Sequence, residues 1–106
     1  MLSKAGMIMA EKVQVNTINK TKWKEPEKCK VVMYNDDFTP MDFVVDILMD
    51  IFHKNQEEAM AIMMRIHKGT KEIIGGYVYD IARTKTEKAV KRAREEGYPF
   101  LVKVEE

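Results

Sequence analysis

The chain has 106 residues, 45% of them hydrophobic and 33% charged, enough for one small domain with a modest core. Its 18 basic and 17 acidic side chains leave a net charge of +1, which gives no support to nucleic acid or an anionic membrane as partner, since both need a basic excess. Cys29 stands alone, so an intrachain disulfide and a cysteine-rich zinc site are excluded.

Residues 1–27 lack sustained periodicity, and their polar, partly basic run from Asn16 to Lys24 ends at Pro26. They are expected to form a flexible tail, with residues 28–106 as the domain. The apolar patch Ala5–Ala10 is shorter than the roughly 7–15 residues of a secretory leader. No run approaches the ~20 residues that cross a bilayer, and a cytoplasmic protein is expected.

From Lys28, the alternation of Cys29, Val31 and Met33 with Lys28, Lys30 and Val32 predicts a strand. It stops at Asn35-Asp36-Asp37. Thr39 is then placed to cap a helix from Pro40 to about His53, with Asp42 where a capping box puts an acid. That helix carries two apolar stripes, Met41/Val44/Val45/Leu48/Phe52 and Phe43/Ile47/Ile51. One core contact needs an arc little over 100° wide, so part of this surface is free to face something else. Asn55 and Glu58 resemble a second capping pair, opening a helix through Ala59, Ile62, Met63 and Ile66 that Gly69 ends.

Ile73 to Tyr79 predicts a strand with a bulge or close approach at Gly75-Gly76. A third helix follows from near Asp80 to Glu96, with Ala82, Ala89 and Ala93 as a close-packing face. Gly97 ends it, and Pro99–Val104 forms a last strand. The order βααβαβ implies an α+β domain, three strands backed on one side by three helices.

Chemistry is concentrated at Asn35-Asp36-Asp37. Such a cluster makes a polar turn held by Asx bonds, or it offers acceptors to an ammonium group. An α-amino group, with a pKa near ~7.7–8.0, is largely cationic at neutral pH. A calcium loop does not fit, because acids do not recur at alternate positions and no Gly-then-Glu follows. His67 can stabilise the C-terminal dipole of its helix or stand with Met63, one turn earlier, on the rim of a site. The nine methionines serve as core filler or as adaptable pocket walls. Cys29 sits in an alternating strand, unlike reactive cysteines at helix N-termini, and no phosphate, dinucleotide or zinc-helix motif is present. No cofactor and no catalytic activity are expected. The basic residues of the third helix, offset by Glu87, Glu95 and Glu96, form a solvated face or a protein-docking one.

Val31 to Val44, and above all Asn35-Asp36-Asp37-Phe38-Thr39-Pro40-Met41, closely resembles the signature of ClpS, the bacterial adaptor for ClpAP-type proteases. The likeness continues through Ala59, Met63, His67, Thr84-Lys85 and Ala93-Arg94-Glu95 to the final strand. It implies an adaptor that binds proteins with a large hydrophobic first residue (Leu, Phe, Tyr or Trp) and hands these N-degron substrates to a ClpA-type or ClpC-type AAA+ unfoldase. By the resemblance, Asn35, Asp37 and His67 hold the α-amino group. Asp36, Thr39, Met41, Val44, Met63, Ile66 and Phe100 enclose the first side chain, with Met41 as a gate against β-branched residues. Asp80 and Lys85 dock on the unfoldase, and the tail takes part in delivery. A monomer is expected.

The chain departs from the family pattern at several positions. Phe100 stands in place of Leu, which implies a shallower pocket, and Asp80 stands in place of Glu. Gly69 comes one residue early, and Ile74 occupies a position that is often Cys. The competing class is an interaction module like the C-terminal domain of the ribosomal stalk protein, which shares the element order.

Overall fold

The alternating apolar residues of the first strand seed a three-stranded antiparallel sheet. The computed structural model describes residues 27–106, and the expected tail, with Trp23, lies outside the described residues but for Glu27. The elements run β1 (Lys28–Tyr34), α1 (Met41–Asp50), α2 (Gln56–Lys68), β2 (Lys71–Val78), α3 (Tyr79–Glu95) and β3 (Leu101–Glu105). Strand β1 is central, in the order β2-β1-β3. Cys29, Val31 and Met33 turn one face toward the helices and pack with Ile47, Leu48, Ile62, Ala89 and Val102 in one core.

The bulge falls where the glycines suggest it. Val31 pairs with Gly75 but Val32 pairs with Ile73, so Ile74 is the extra residue, and its side chain is buried. A Cβ on Gly75 would stand 3.2 Å from the Tyr77 ring, so the missing side chain is what lets that ring lie across the strand.

Helix α1 begins and ends differently from its expectation. Pro40 occupies the cap position and, lacking a side-chain acceptor, makes no side-chain cap bond, while the Thr39 hydroxyl, one residue earlier, donates to Asp36 Oδ2 at 2.8 Å. Asp42 accepts from the Phe43 N–H at 2.9 Å and so closes no capping box with Thr39. The helix ends at Asp50 rather than His53. His53 adopts φ 57°, and the Lys54 N–H closes on the Leu48 carbonyl at 3.0 Å. This left-handed residue turns the chain directly into α2 while Ile51 and Phe52 remain buried. Both apolar stripes of α1 are used, since Val44, Ile47 and Leu48 are buried and Phe43 and Val45 pack at the core's margin.

The α2 cap is reciprocal as expected. Glu58 N–H donates to Asn55 Oδ1 at 2.8 Å, and Asn55 N–H donates to Glu58 Oε1 at 3.3 Å. Ala82, Ala89 and Ala93 are fully buried on α3, and Gly97 leaves that helix with φ 82°.

The reciprocal cap makes a direct prediction. Asn55→Ala should lower unfolding stability by about 1 kcal/mol, read as a lower urea midpoint with an unchanged slope. An unchanged midpoint would contradict the role given to this pair.

Candidate functional site

The junction between β1 and α1 is built by three neighbouring side chains with separate tasks. The Asn35 N–H donates to the Thr70 carbonyl at 2.9 Å. Its side-chain amide nitrogen donates to the carbonyls of His67 and Gly69 at 3.3 and 3.2 Å. Two carbonyl partners require the NH₂ group on that side, which leaves Oδ1 as the remaining acceptor. Asn35 therefore fastens the end of β1 to the end of α2.

Asp36 shapes the turn itself. The N–H groups of Phe38 and Thr39 donate to its Oδ1 at 2.8 and 2.7 Å, and the Thr39 hydroxyl occupies Oδ2. Partial burial pushes this carboxyl up, but the bonds from Thr39 and Phe38 and the charge of Arg94 outweigh it and hold the group below the usual aspartate value. Asp37 is exposed, and among the described residues no group bonds or pairs with its carboxylate. Of the two acids, one is used by the fold and the other is available.

These residues open onto a cavity of about 500 Å³ whose lining includes Asn35, Asp36, Asp37, Thr39, Met41, Val44, Met63, Ile66 and His67. Nine expected site residues thus meet in one place, drawn from the turn, α1 and α2. Val44, Met63 and Ile66 are buried and form an apolar wall, while Met41 is 42% exposed at the entrance. His67 lies in the last turn of α2, exposed, with its backbone held by Asn35. Asx-type bonds at Asp36 thus coexist with acceptors at Asn35 and Asp37 that no described group occupies.

Phe100 is placed elsewhere. It is 1% exposed and packs edge-on to Phe43 with centroids 6.3 Å apart, in the core and outside the cavity lining. Sequence reasoning missed Phe38 and Pro40, which do line the cavity. Phe38 is 77% exposed, and its position inside the acidic turn was the available signal.

The two expected docking residues lie on α3, away from the cavity. Asp80 is exposed in the first turn. Lys85 is folded inward: its ammonium donates to the Ile51 carbonyl at 2.7 Å and lies 5.9 and 5.6 Å from the Phe52 and Tyr77 ring centroids. It satisfies a carbonyl at the C-terminus of α1, where a cation is favoured. Among the described residues no group of three or more His, Cys, Asp or Glu could hold a metal ion, and no helix is long and apolar enough to cross a membrane.

The same arrangement of turn, helices and sheet occurs in known proteins. Residues 24–103 match the family described as ATP-dependent Clp protease adaptor protein ClpS. The chain belongs to the ClpS family. An ATP-dependent Clp protease adapter protein ClpS from Treponema denticola is 46% identical over 99 residues, covering 93% of this chain and 98% of the relative. The ClpS of Wolinella succinogenes is 44% identical over 82 residues, covering 77% and 80%. Among solved structures, that of Agrobacterium tumefaciens ClpS2 bound to L-phenylalaninamide matches with a TM-score of 0.74 and 31% identity, covering 76% of this chain and 98% of that one. ClpS is a family of protease adaptors rather than catalysts, and membership separates this chain from the stalk domain that shares its element order.

The state of Asp36 makes stability depend on acid. A carboxyl whose folded pKa lies below its unfolded value contributes stability that is full above the unfolded value and is lost as pH falls through the folded one. The thermal midpoint should therefore fall below about pH 4 more steeply in the native protein than in Asp36→Asn. Parallel curves would contradict the role of this carboxylate in the turn.

Proposed function

We propose that the cavity receives the free amino terminus of a substrate protein whose first side chain is large and apolar (Leu, Phe, Tyr or Trp), and that the chain delivers this substrate to a Clp unfoldase. The observation that carries the proposal is the pairing of an apolar wall with unused acceptors at its mouth. An ammonium group has three protons to place. Asn35 Oδ1, the Asp37 carboxylate and a ring nitrogen of His67 supply three acceptors of suitable kind. Asp36 and Thr39 hold the turn in shape, Met41 stands at the gate, and Phe100 supports the wall from within the core. The bound L-phenylalaninamide of the Agrobacterium relative, with its free amine and aromatic side chain, is of the ligand class this cavity suits.

The magnitudes agree with such a task. Burying one large apolar side chain contributes roughly 1.5–3 kcal/mol, and a hydrogen bond to a charged group about 1.5–3 kcal/mol. One side chain and two or three such bonds, less the cost of ordering the peptide, give about −8 kcal/mol, a micromolar dissociation constant. The protein itself catalyses nothing in this scheme. It works as a cytoplasmic monomer, with Asp80 and Lys85 on α3 contacting a ClpA-type or ClpC-type unfoldase and the residues before Lys28 assisting delivery.

Fluorescence anisotropy with peptides that differ only at the first residue tests this. Leu and Phe peptides should bind, while Ala, Val and N-acetylated Phe peptides should not. Asp37→Ala and His67→Ala should each weaken Phe-peptide binding at least tenfold, the loss of about 1.4 kcal/mol, with nearly unchanged thermal midpoints. Intact binding by both variants, or equal binding of the acetylated peptide, would overturn the proposal.

A further inference from the structure

The two faces of the sheet differ sharply in charge. Its helix-facing side holds the core, whereas Lys28, Lys30, Val32 and Tyr34 of β1 point to the other side, where Val32 is buried at 1% exposure and Tyr34 is half-buried between its neighbours. Pairing places Lys71 and Leu101 on either side of Tyr34, Ile73 and Lys103 on either side of Val32, and Glu105 beside Lys30. Lys28, Lys30, Lys71 and Lys103 are all exposed there. Among the described residues they face the Glu105 carboxylate, which already accepts the Tyr34 hydroxyl at 2.9 Å. A chain of net charge +1 thus carries a locally basic face. Set into it are two exposed apolar side chains, Ile73 at 54% and Leu101 at 37%.

This face starts where the cavity ends. Tyr34 precedes Asn35, and Lys71 follows Thr70, the residue whose carbonyl receives the Asn35 N–H. The turn that lines the cavity and the basic face therefore share one end of β1. Extended chain advances ~3.3 Å per residue, so a peptide would need about seven residues to run the length of the seven-residue β1.

We propose that the exposed lysines of this sheet face, with Ile73 and Leu101, bind an acidic stretch of the captured polypeptide beyond its amino terminus. The proposal rests on the cavity reading above and adds a second contact to it. Carboxylates complement the lysines, and interspersed apolar residues suit Ile73 and Leu101. Single-stranded nucleic acid fits less well, because it needs open aromatic rings for base stacking. The Tyr34 ring has ammonium groups from Lys71 and Lys103 each 5.8 Å from its centroid. The effect is one of substrate selection: among proteins with equivalent first residues, those with acidic segments close behind are favoured.

Two labelled peptides beginning with Phe, one with a Gly/Ser spacer and an acidic-apolar tail and one with a neutral tail of equal length, test this in low salt. The acidic-tail peptide should bind about three- to tenfold more tightly, as expected for a few exposed charge pairs. The gain should vanish in the Lys30→Glu/Lys103→Glu double variant, and in wild type at ~0.5 M salt, while neutral-tail binding stays constant. Equal affinities in wild type, or a gain that survives charge reversal, would overturn the proposal. So would a single-stranded RNA oligomer that binds the face more tightly than the acidic-tail peptide. Failure of both Phe peptides to bind would instead overturn the cavity reading and this proposal with it. If the double variant has a lowered thermal midpoint, Lys30→Gln/Lys103→Gln serves in its place, with the same outcomes.

Discussion

Asn35 is the tie on which the site depends. Its backbone and side-chain nitrogens together reach Thr70, His67 and Gly69, so the end of the central strand and the end of α2 cannot move apart independently. This one residue brings the acidic turn over the apolar surface of α1 and α2, and it fixes the stretch of backbone that carries His67. It also orients its own oxygen, because a side-chain amide that donates from its nitrogen must present its carbonyl on the other side. A substitution here would remove an acceptor and loosen the frame around the remaining ones.

The adjoining carboxylates differ in what the fold asks of them. Asp36 is bound by two backbone N–H groups and a hydroxyl, which makes the turn rigid and leaves that carboxylate little capacity for a ligand. Asp37 next to it is exposed. A cavity mouth built this way holds its acceptors in position before a ligand arrives, so less ordering is needed on binding. The apolar wall follows the same division: Val44 and Ile66 are buried members of the core, while Met41, flexible and partly exposed at the entrance, can adjust to side chains of different shape.

Much of this was legible in the chain itself. The alternation of β1, the Asn55/Glu58 cap, the alanine face of α3 and the glycine bulge in β2 all follow from local pattern. The motif from Asn35 to Met41, with Met63 and His67, marked residues that line one cavity. The Thr39 cap did not follow, because Asp36 three residues earlier accepts both the Thr39 N–H and its hydroxyl and holds Thr39 in the turn, which leaves Pro40 at the cap position. Lys85 lay beyond local reasoning for a similar cause: its partner Ile51 is 34 positions away, and only the packing of α3 on the end of α1 brings them together. Phe100 was placed in the pocket by resemblance, but its large ring fills the core beside Phe43. The basic sheet face depends on cross-strand register, since its lysines come from three separated segments and no one of them is basic enough to stand out.

The claim that free acceptors over an apolar wall seize a charged amino terminus is tested most directly by a crystal structure of the protein with L-phenylalaninamide. The aromatic ring should lie against Val44, Met63 and Ile66, with the ammonium nitrogen within hydrogen-bond distance of Asn35 Oδ1 and the Asp37 carboxylate. A ring bound there with its ammonium turned to solvent, or a ligand seated elsewhere on the protein, would contradict it.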